Sequence, residues 1–178
     1  MTTEPEGTAC EYSPHAALSP EERRGFQDPV TMRRMFGEVK TIAVVGLSRD
    51  PAKPGHYVPA YLQRAGYRII PVNPHDCTVL GEQAYPDLAS VPGRVDLALV
   101  FRPGPACLKV AEQAIAAGVP RIWFQLNIPA GEGARRAAAA GLEVVMDRCM
   151  MVEHRALAAA GAEVPGTTSG LSKSEPTG

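Results

Sequence analysis

The segment Thr41-Ile-Ala-Val-Val-Gly46 constrains the fold more than any other stretch of the chain, because it carries no charge, is dominated by β-branched residues and stops at a glycine. A short run with these properties reads as a strand buried on both faces. Such a strand needs cover on both sides, and the next thirty residues provide for it. Residues 56–65, with Val58, Tyr61 and Leu62, read as a helix closed by Gly66, and Tyr67-Arg-Ile-Ile-Pro-Val72 reads as a second strand. The three pieces have the length of a right-handed parallel crossover. Pro59 fits that helix only if it lies in the first turn. The alternation goes on through a strand at 95–101, a helix at about 105–117, a strand at 121–126, an alanine-rich helix at 129–140, a strand at 143–146 and a helix at 150–160. Ahead of it, Asp28 can cap a helix that has Pro29 in its first position. Strands alternating with helices predict an α/β domain: a Rossmann-like, doubly wound, mostly parallel sheet with helices on both faces.

The ends differ in character. Residues 1–27 and those from about 161 to 178 are poor in large aliphatic side chains, so both are expected to be flexible tails around a single domain at 28–160. Lys and Arg total 18 against 19 Asp and Glu, a formal charge of −1. That balance gives no broad basic field for nucleic acid or an anionic membrane. No apolar run approaches the roughly 18 residues of a membrane span, and the acidic residues 1–10 do not resemble a secretory signal. A cytoplasmic protein is expected. Cys10, Cys77, Cys107 and Cys149 are scattered, without metal-ligand spacing, and read as reduced thiols.

In a sheet of this kind ligands sit beyond the carboxyl ends of the strands, where strand order reverses. The loop Gly46-Leu-Ser-Arg-Asp-Pro-Ala-Lys-Pro-Gly55 therefore stands out: Gly46 permits a tight turn, Ser48 offers a hydroxyl, Arg49 and Lys53 add positive charge, and a helix N-terminus comes after it. Such a loop can hold a phosphate or diphosphate. It can equally be an ordinary strand-to-helix connection with solvated charges. A nicotinamide dinucleotide fingerprint is missing, since Ser stands at 48 and Pro at 51 where glycine would be needed in Gly-x-Gly-x-x-Gly. The second strand ends in Val72-Asn73-Pro74, without the carboxylate that binds a free ribose diol in NAD sites. Asn73 is thus compatible with a phosphorylated ribose, and equally with plain turn chemistry.

These residues resemble a known family, the small bacterial and archaeal CoA-binding proteins related to the CoA-binding domain of the succinyl-CoA synthetase alpha subunit. The motifs are Val45-Gly-Leu-Ser-Arg-Asp-Pro-Ala-Lys-Pro54, Pro71-Val-Asn-Pro74, Leu80-Gly81 with Tyr85, Val100-Phe-Arg102, Trp123-Phe-Gln125 and Val145-Met-Asp-Arg-Cys149 followed by Glu153. The resemblance implies that coenzyme A or an acyl-CoA is the ligand. It implies Gly46, Ser48 and Lys53 near the diphosphate, with Arg49 in the same loop. Asn73 and Pro74 would lie near the ribose, Phe101, Arg102 and Pro103 around the adenine, and Trp123, Phe124 and Gln125 in a segment that contacts nucleotide in the synthetase. Trp123 and Phe124 also suit a buried strand. The chain departs from the family at Gly55-His56, where a hydroxyl is often present, and His56 reads as a neutral surface or cap residue.

No catalytic residues are assigned. His15, His56, His75 and His154 form no nucleophile or metal motif; His15 lies in the tail, and His154 reads as half of a surface pair with Glu153. Cys149, between a strand end and a helix start and next to Arg148, is the candidate redox thiol, able in principle to form a mixed disulfide with the thiol of CoA. The alternative is a small buried hydrophobe. The sequence is read as a stand-alone CoA-binding protein. An NAD(P)-binding oxidoreductase or a nucleotide or redox sensor is the alternative, and a protein partner reached through the tails is a third class.

Overall fold

The computed structural model describes residues 18–166. Its strands are β1 (Thr41–Val45), β2 (Arg68–Val72), β3 (Thr78–Val79), β4 (Glu82–Gln83), β5 (Leu97–Val100), β6 (Arg121–Phe124) and β7 (Glu143–Met146). Five of them form one parallel sheet in the order β2-β1-β5-β6-β7. The antiparallel pair β3 and β4 sits on the connection from β2 to β5. Helices α2 (Pro29–Glu38), α3 (Pro54–Arg64) and α6 (Met150–Ala159) cover one face, and α4 (Gly104–Ala116) and α5 (Gly131–Ala139) cover the other.

Side chains along a strand point to alternate faces, and this divides the sheet's contribution between two cores. Ile42, Val44, Ile69, Leu97, Leu99, Trp123 and Val145 pack beneath α2, α3 and α6. Ala43, Val45, Ile70, Val100, Ile122, Phe124 and Val144 pack beneath α4 and α5. Every strand of the sheet, its first residue aside, is buried on both faces, as the β-branched runs predict. On the second face α4 and α5 come close because Gly133 has no side chain: a Cβ there would lie 2.8 Å from the Cys107 carbonyl oxygen.

Several sequence expectations need correction. Residues 20–25 form a helix, α1 (Pro20–Gly25), where a tail is expected. The helix buries none of its own residues. It is held by a capping box between Ser19 and Glu22, by the Glu22–Arg135 ion pair and by Leu18 and Phe26 packing on the core. The Arg135 hydrogen bond is also the main reason that the Glu22 carboxyl drops to about 2. At the other end Ala162 and Val164 are buried, so the domain extends past 160. Residues 1–17 and 167–178, which include the rest of both expected tails with Cys10 and His15, lie outside the described residues.

Pro59 is not in the first turn, because α3 starts at Pro54. A helical proline leaves the carbonyl four residues earlier without a donor. That carbonyl is Gly55's, and it accepts the Ser48 N–H at 3.0 Å. The defect in the helix is thus used to tie down the loop before it. His154 is not a surface residue either. It is buried in a cage of Phe36, Tyr61 and Tyr67, with Tyr61 Oη 2.8 Å from Nδ1 and Nε2 3.0 Å from the Pro165 carbonyl, while Glu153 pairs with Arg148. Burial lowers its pKa below the ordinary histidine value.

Candidate functional site

The chain leaves β1 for β2 on one side and returns to β5 on the other, so strand order reverses between β1 and β5. The loops beyond these two strand ends diverge there, and a crevice opens at the carboxyl edge. Gly46 occupies that point. Its φ of +88° lies in the left-handed region, and a Cβ would meet Arg102 Cδ at 2.8 Å. Glycine is required on both counts. The Arg102 side chain lies against it.

Two clefts meet at Gly46, one on each side of the sheet. The first, about 460 Å3, opens on the α3 side and is lined by Ser48, Lys53, Pro54, Gly55 and Tyr57 from the β1–α3 segment, by Phe101, by residues 125–128 after β6 and by Cys149 after β7. The second, about 400 Å3, opens on the α4 side between Val45, Val72 and Pro74, with Pro86, Asp87, Arg102, Ala106, Lys109 and Gln113 around it. Their chemistry differs. The α3-side cleft has one charged lining residue, Lys53, amid mostly apolar or aromatic neighbours. The α4-side cleft carries two cations, Arg102 and Lys109, against the single carboxylate of Asp87. The Asp87 carboxylate is held below its usual range by hydrogen bonds from the Ser90 hydroxyl and amide.

The β1–α3 loop is fastened internally. The Ser48 N–H donates to Gly55, and Ser48 Oγ accepts the Asp50 N–H at 3.1 Å. The Ser48 carbonyl lies 2.7 Å from His56 Nδ1, which therefore carries the proton and donates. Ser48 still lines the cleft, with its hydroxyl proton as its remaining donor. The histidine that departs from the family pattern serves as the loop's clamp.

Gly46, Ser48, Lys53, Phe101, Gln125 and Cys149 come together in the first cleft, and Gly46, Pro74 and Arg102 in the second. Arg49, Asn73 and Pro103 line neither. Asn73 is spent on turn chemistry: its Nδ2 donates to the Leu47 carbonyl at 3.1 Å and to Asp76 at 2.7 Å, and its Oδ1 accepts the His75 N–H. The absence of an acid at 73 is also offset by Asp76, which takes up Arg49 in a 2.7 Å ion pair. The loop cation thus meets a carboxylate of the chain itself. Pro103 stands at the N-cap of α4. Trp123 and Phe124 are fully buried in opposite cores, and Trp123 Nε1–H donates to the Arg148 carbonyl at 2.8 Å, holding the loop that leads to Cys149.

Gln125 has a role that spacing does not suggest. It is buried, its Oε1 accepts the Met150 N–H at 3.0 Å and its Nε2 donates to Cys149 Sγ at 3.5 Å. It therefore caps α6 from 25 residues away and fixes the thiol at the cleft wall. Cys107, by contrast, is sealed in the core, where burial pushes its thiol up to about 12. The sequence reading missed Tyr57, residues 126–128, Asp87, Lys109 and Gln113. Leu126, Asn127 and Ile128 follow the carboxyl end of β6, where the carboxyl-edge rule points. The α4 residues carry no local signal.

The chain matches the CoA binding domain family over residues 40–155. It is 38% identical over 123 residues to the uncharacterized protein YneT of Bacillus subtilis (strain 168), a match that covers 69% of this chain and 91% of that protein. A solved structure of a hypothetical protein from Pyrococcus horikoshii OT3 superposes with a TM-score of 0.70 at 34% identity, covering 83% of this chain and 98% of that one. A 100-residue stretch, 55% of the chain, is 30% identical to the ADP-forming acetate–CoA ligase II of Archaeoglobus fulgidus, of which it spans 15%.

Proposed function

The chain belongs to the CoA-binding domain family, and from that premise we propose that it binds coenzyme A or an acyl-CoA across the carboxyl edge of the sheet. The phosphorylated nucleotide would occupy the α4-side cleft and the pantetheine arm the α3-side cleft. The observation that carries this reading is the pairing of a cationic cleft with a mostly apolar one over a single glycine. Coenzyme A has the same polarity: a nucleotide end bearing a ribose phosphate, a diphosphate, and a neutral arm ending in sulfur.

Arg102 and Lys109 would face the ribose phosphate, with Pro74 beside the ribose. The diphosphate would cross at Gly46, where Ser48, Lys53 and the Gly55 N–H supply donors and the start of α3 a favourable dipole, the His56 and Tyr57 N–H groups being taken by the Lys53 carbonyl. Arg49, Asn73 and Pro103 would act behind the site, by shaping its loops. The protein is read as a binder that holds its ligand without transforming it. Cys149, on the wall of the arm's cleft, can be checked for a mixed disulfide by mass spectrometry after incubation with CoA disulfide; an intact fold with no adduct removes that role.

Calorimetric titration with CoA, NAD and NADP tests the reading. Heat of binding is expected for CoA. If only a nicotinamide nucleotide releases heat, the proposal is wrong and the dinucleotide alternative takes its place.

A further inference from the structure

Resting on the coenzyme A reading, we infer that the α3-side cleft takes a thioester with a short apolar acyl group, and that free CoA is the weaker ligand. Four large hydrophobic side chains stand exposed among the described residues, and two of them, Tyr57 at 41% and Leu126 at 49%, rim this one cleft. Ile128 extends the same apolar edge. Two exposed apolar groups on one ligand-sized cavity are more informative than scattered ones.

Direction comes from the sheet. An arm that starts over Gly46, just past the end of β1, and runs away from the cationic cleft passes the ends of β5 and β6 towards β7, three strand spacings of about 4.8 Å each. Its sulfur end therefore arrives among Gln125, Leu126, Ile128 and Cys149. The polar atoms of Gln125 are already engaged with Met150 and Cys149, which leaves the exposed Asn127 side chain as the polar group at this end of the cleft, beside Leu126 and Ile128. The charged lining residue, Lys53, belongs to the β1–α3 end. Asp147 stands behind the rim, with its Oδ1 accepting the Asn127 N–H at 2.9 Å and its Oδ2 paired with Arg23 at 3.7 Å. No cation lines this end of the cleft to receive a carboxylate borne by the acyl group, and the nearby Arg23 and Arg148 already face Asp147 and Glu153, whereas an alkyl group would cover Leu126 and Tyr57. Carbons beyond the rim return to water, which limits the useful chain length.

The test is a titration of the full chain with CoA, acetyl-CoA, butyryl-CoA, hexanoyl-CoA and succinyl-CoA, repeated on Leu126→Asp. Affinity should rise about fourfold per methylene from acetyl to butyryl, as burial of one methylene allows, and then level off. Succinyl-CoA, with the same number of acyl carbons as butyryl-CoA, should bind at least about tenfold more weakly than butyryl-CoA. In Leu126→Asp the ratio of butyryl-CoA to CoA affinity should collapse towards one. The side chain is half exposed, so the variant can fold, and circular dichroism checks that it does. Equal affinities for CoA and butyryl-CoA, or a preference for succinyl-CoA, would overturn this inference while leaving CoA binding intact. Failure of CoA and all its esters to bind would instead overturn the coenzyme A reading itself.

Discussion

The clefts on the two sides of Gly46 begin at the same strand ends, yet one is mostly apolar and the other cationic. Strand residues do not make this difference, since β1 and β5 send aliphatic side chains to both faces. It comes from the segments that succeed the strands. On the α3 side the lining is loop and helix start: Pro54, Tyr57, Leu126 and Ile128. On the α4 side a helix runs past the opening and contributes Lys109 and Gln113 at i and i+4, which share one helical face. The lesson is that a doubly wound sheet supplies the position of a site, while the segments beyond its edge supply the two chemistries that a long, unsymmetrical ligand needs.

The largest expected effect comes from the cationic side. Replacing Arg102 and Lys109 together by Ala should weaken CoA by at least about a hundredfold, in line with losing two hydrogen bonds to a charged group worth about 1.5–3 kcal/mol each. The same variant should lose the preference for CoA over dephospho-CoA. If calorimetry gives wild-type affinity and discrimination, the division between the clefts is wrong.

A smaller effect is expected on the other side. Gln125→Leu leaves the Met150 N–H without its acceptor and frees Cys149, which should cost about 1–3 kcal/mol of stability in denaturant unfolding. It should also disturb ligands that carry the pantetheine arm more than adenosine 3′,5′-bisphosphate. Equal losses for both ligand types would merge the two clefts into one.

The smallest effect belongs to neither cleft and serves as their control. The pKa of His154 is lowered by burial, so the unfolded chain binds its proton first as pH falls below about 6.5. Stability from this residue is therefore present above that pH and lost as pH drops through the folded value. Urea midpoints at pH 7.5 and 5 should show the loss, and His154→Phe should reduce it without changing CoA affinity at pH 7.5. An unchanged pH dependence in the variant would assign the effect to other groups.

Most of the sheet was legible because burial on both faces leaves a mark on every strand: Thr41–Val45 and Leu97–Val100 could only be interior strands. The candidate loops came from the same pattern, since ligands in such a sheet bind beyond the carboxyl ends of the strands, whereas the point at which strand order reverses came from the fold. Features held by distant partners were not legible. Helix α1 depends on an ion pair between Glu22 and Arg135, 113 residues apart, and so looked like a polar tail. His154 sits beside Glu153 in sequence, but the turn of α6 places it against Tyr61 and Tyr67. Asn73 and Arg49 look available for a ligand until the fold brings Asp76 to both of them.

The division of the ligand between the clefts can be read directly from amide chemical shifts in the 15N-labelled protein, titrated separately with adenosine 3′,5′-bisphosphate and with pantetheine. The nucleotide fragment should move the amides of Asp87, Arg102 and Lys109, and pantetheine those of Leu126, Asn127 and Cys149. Shifts in the reverse pattern, or both fragments moving one set alone, would contradict a coenzyme A site laid across Gly46.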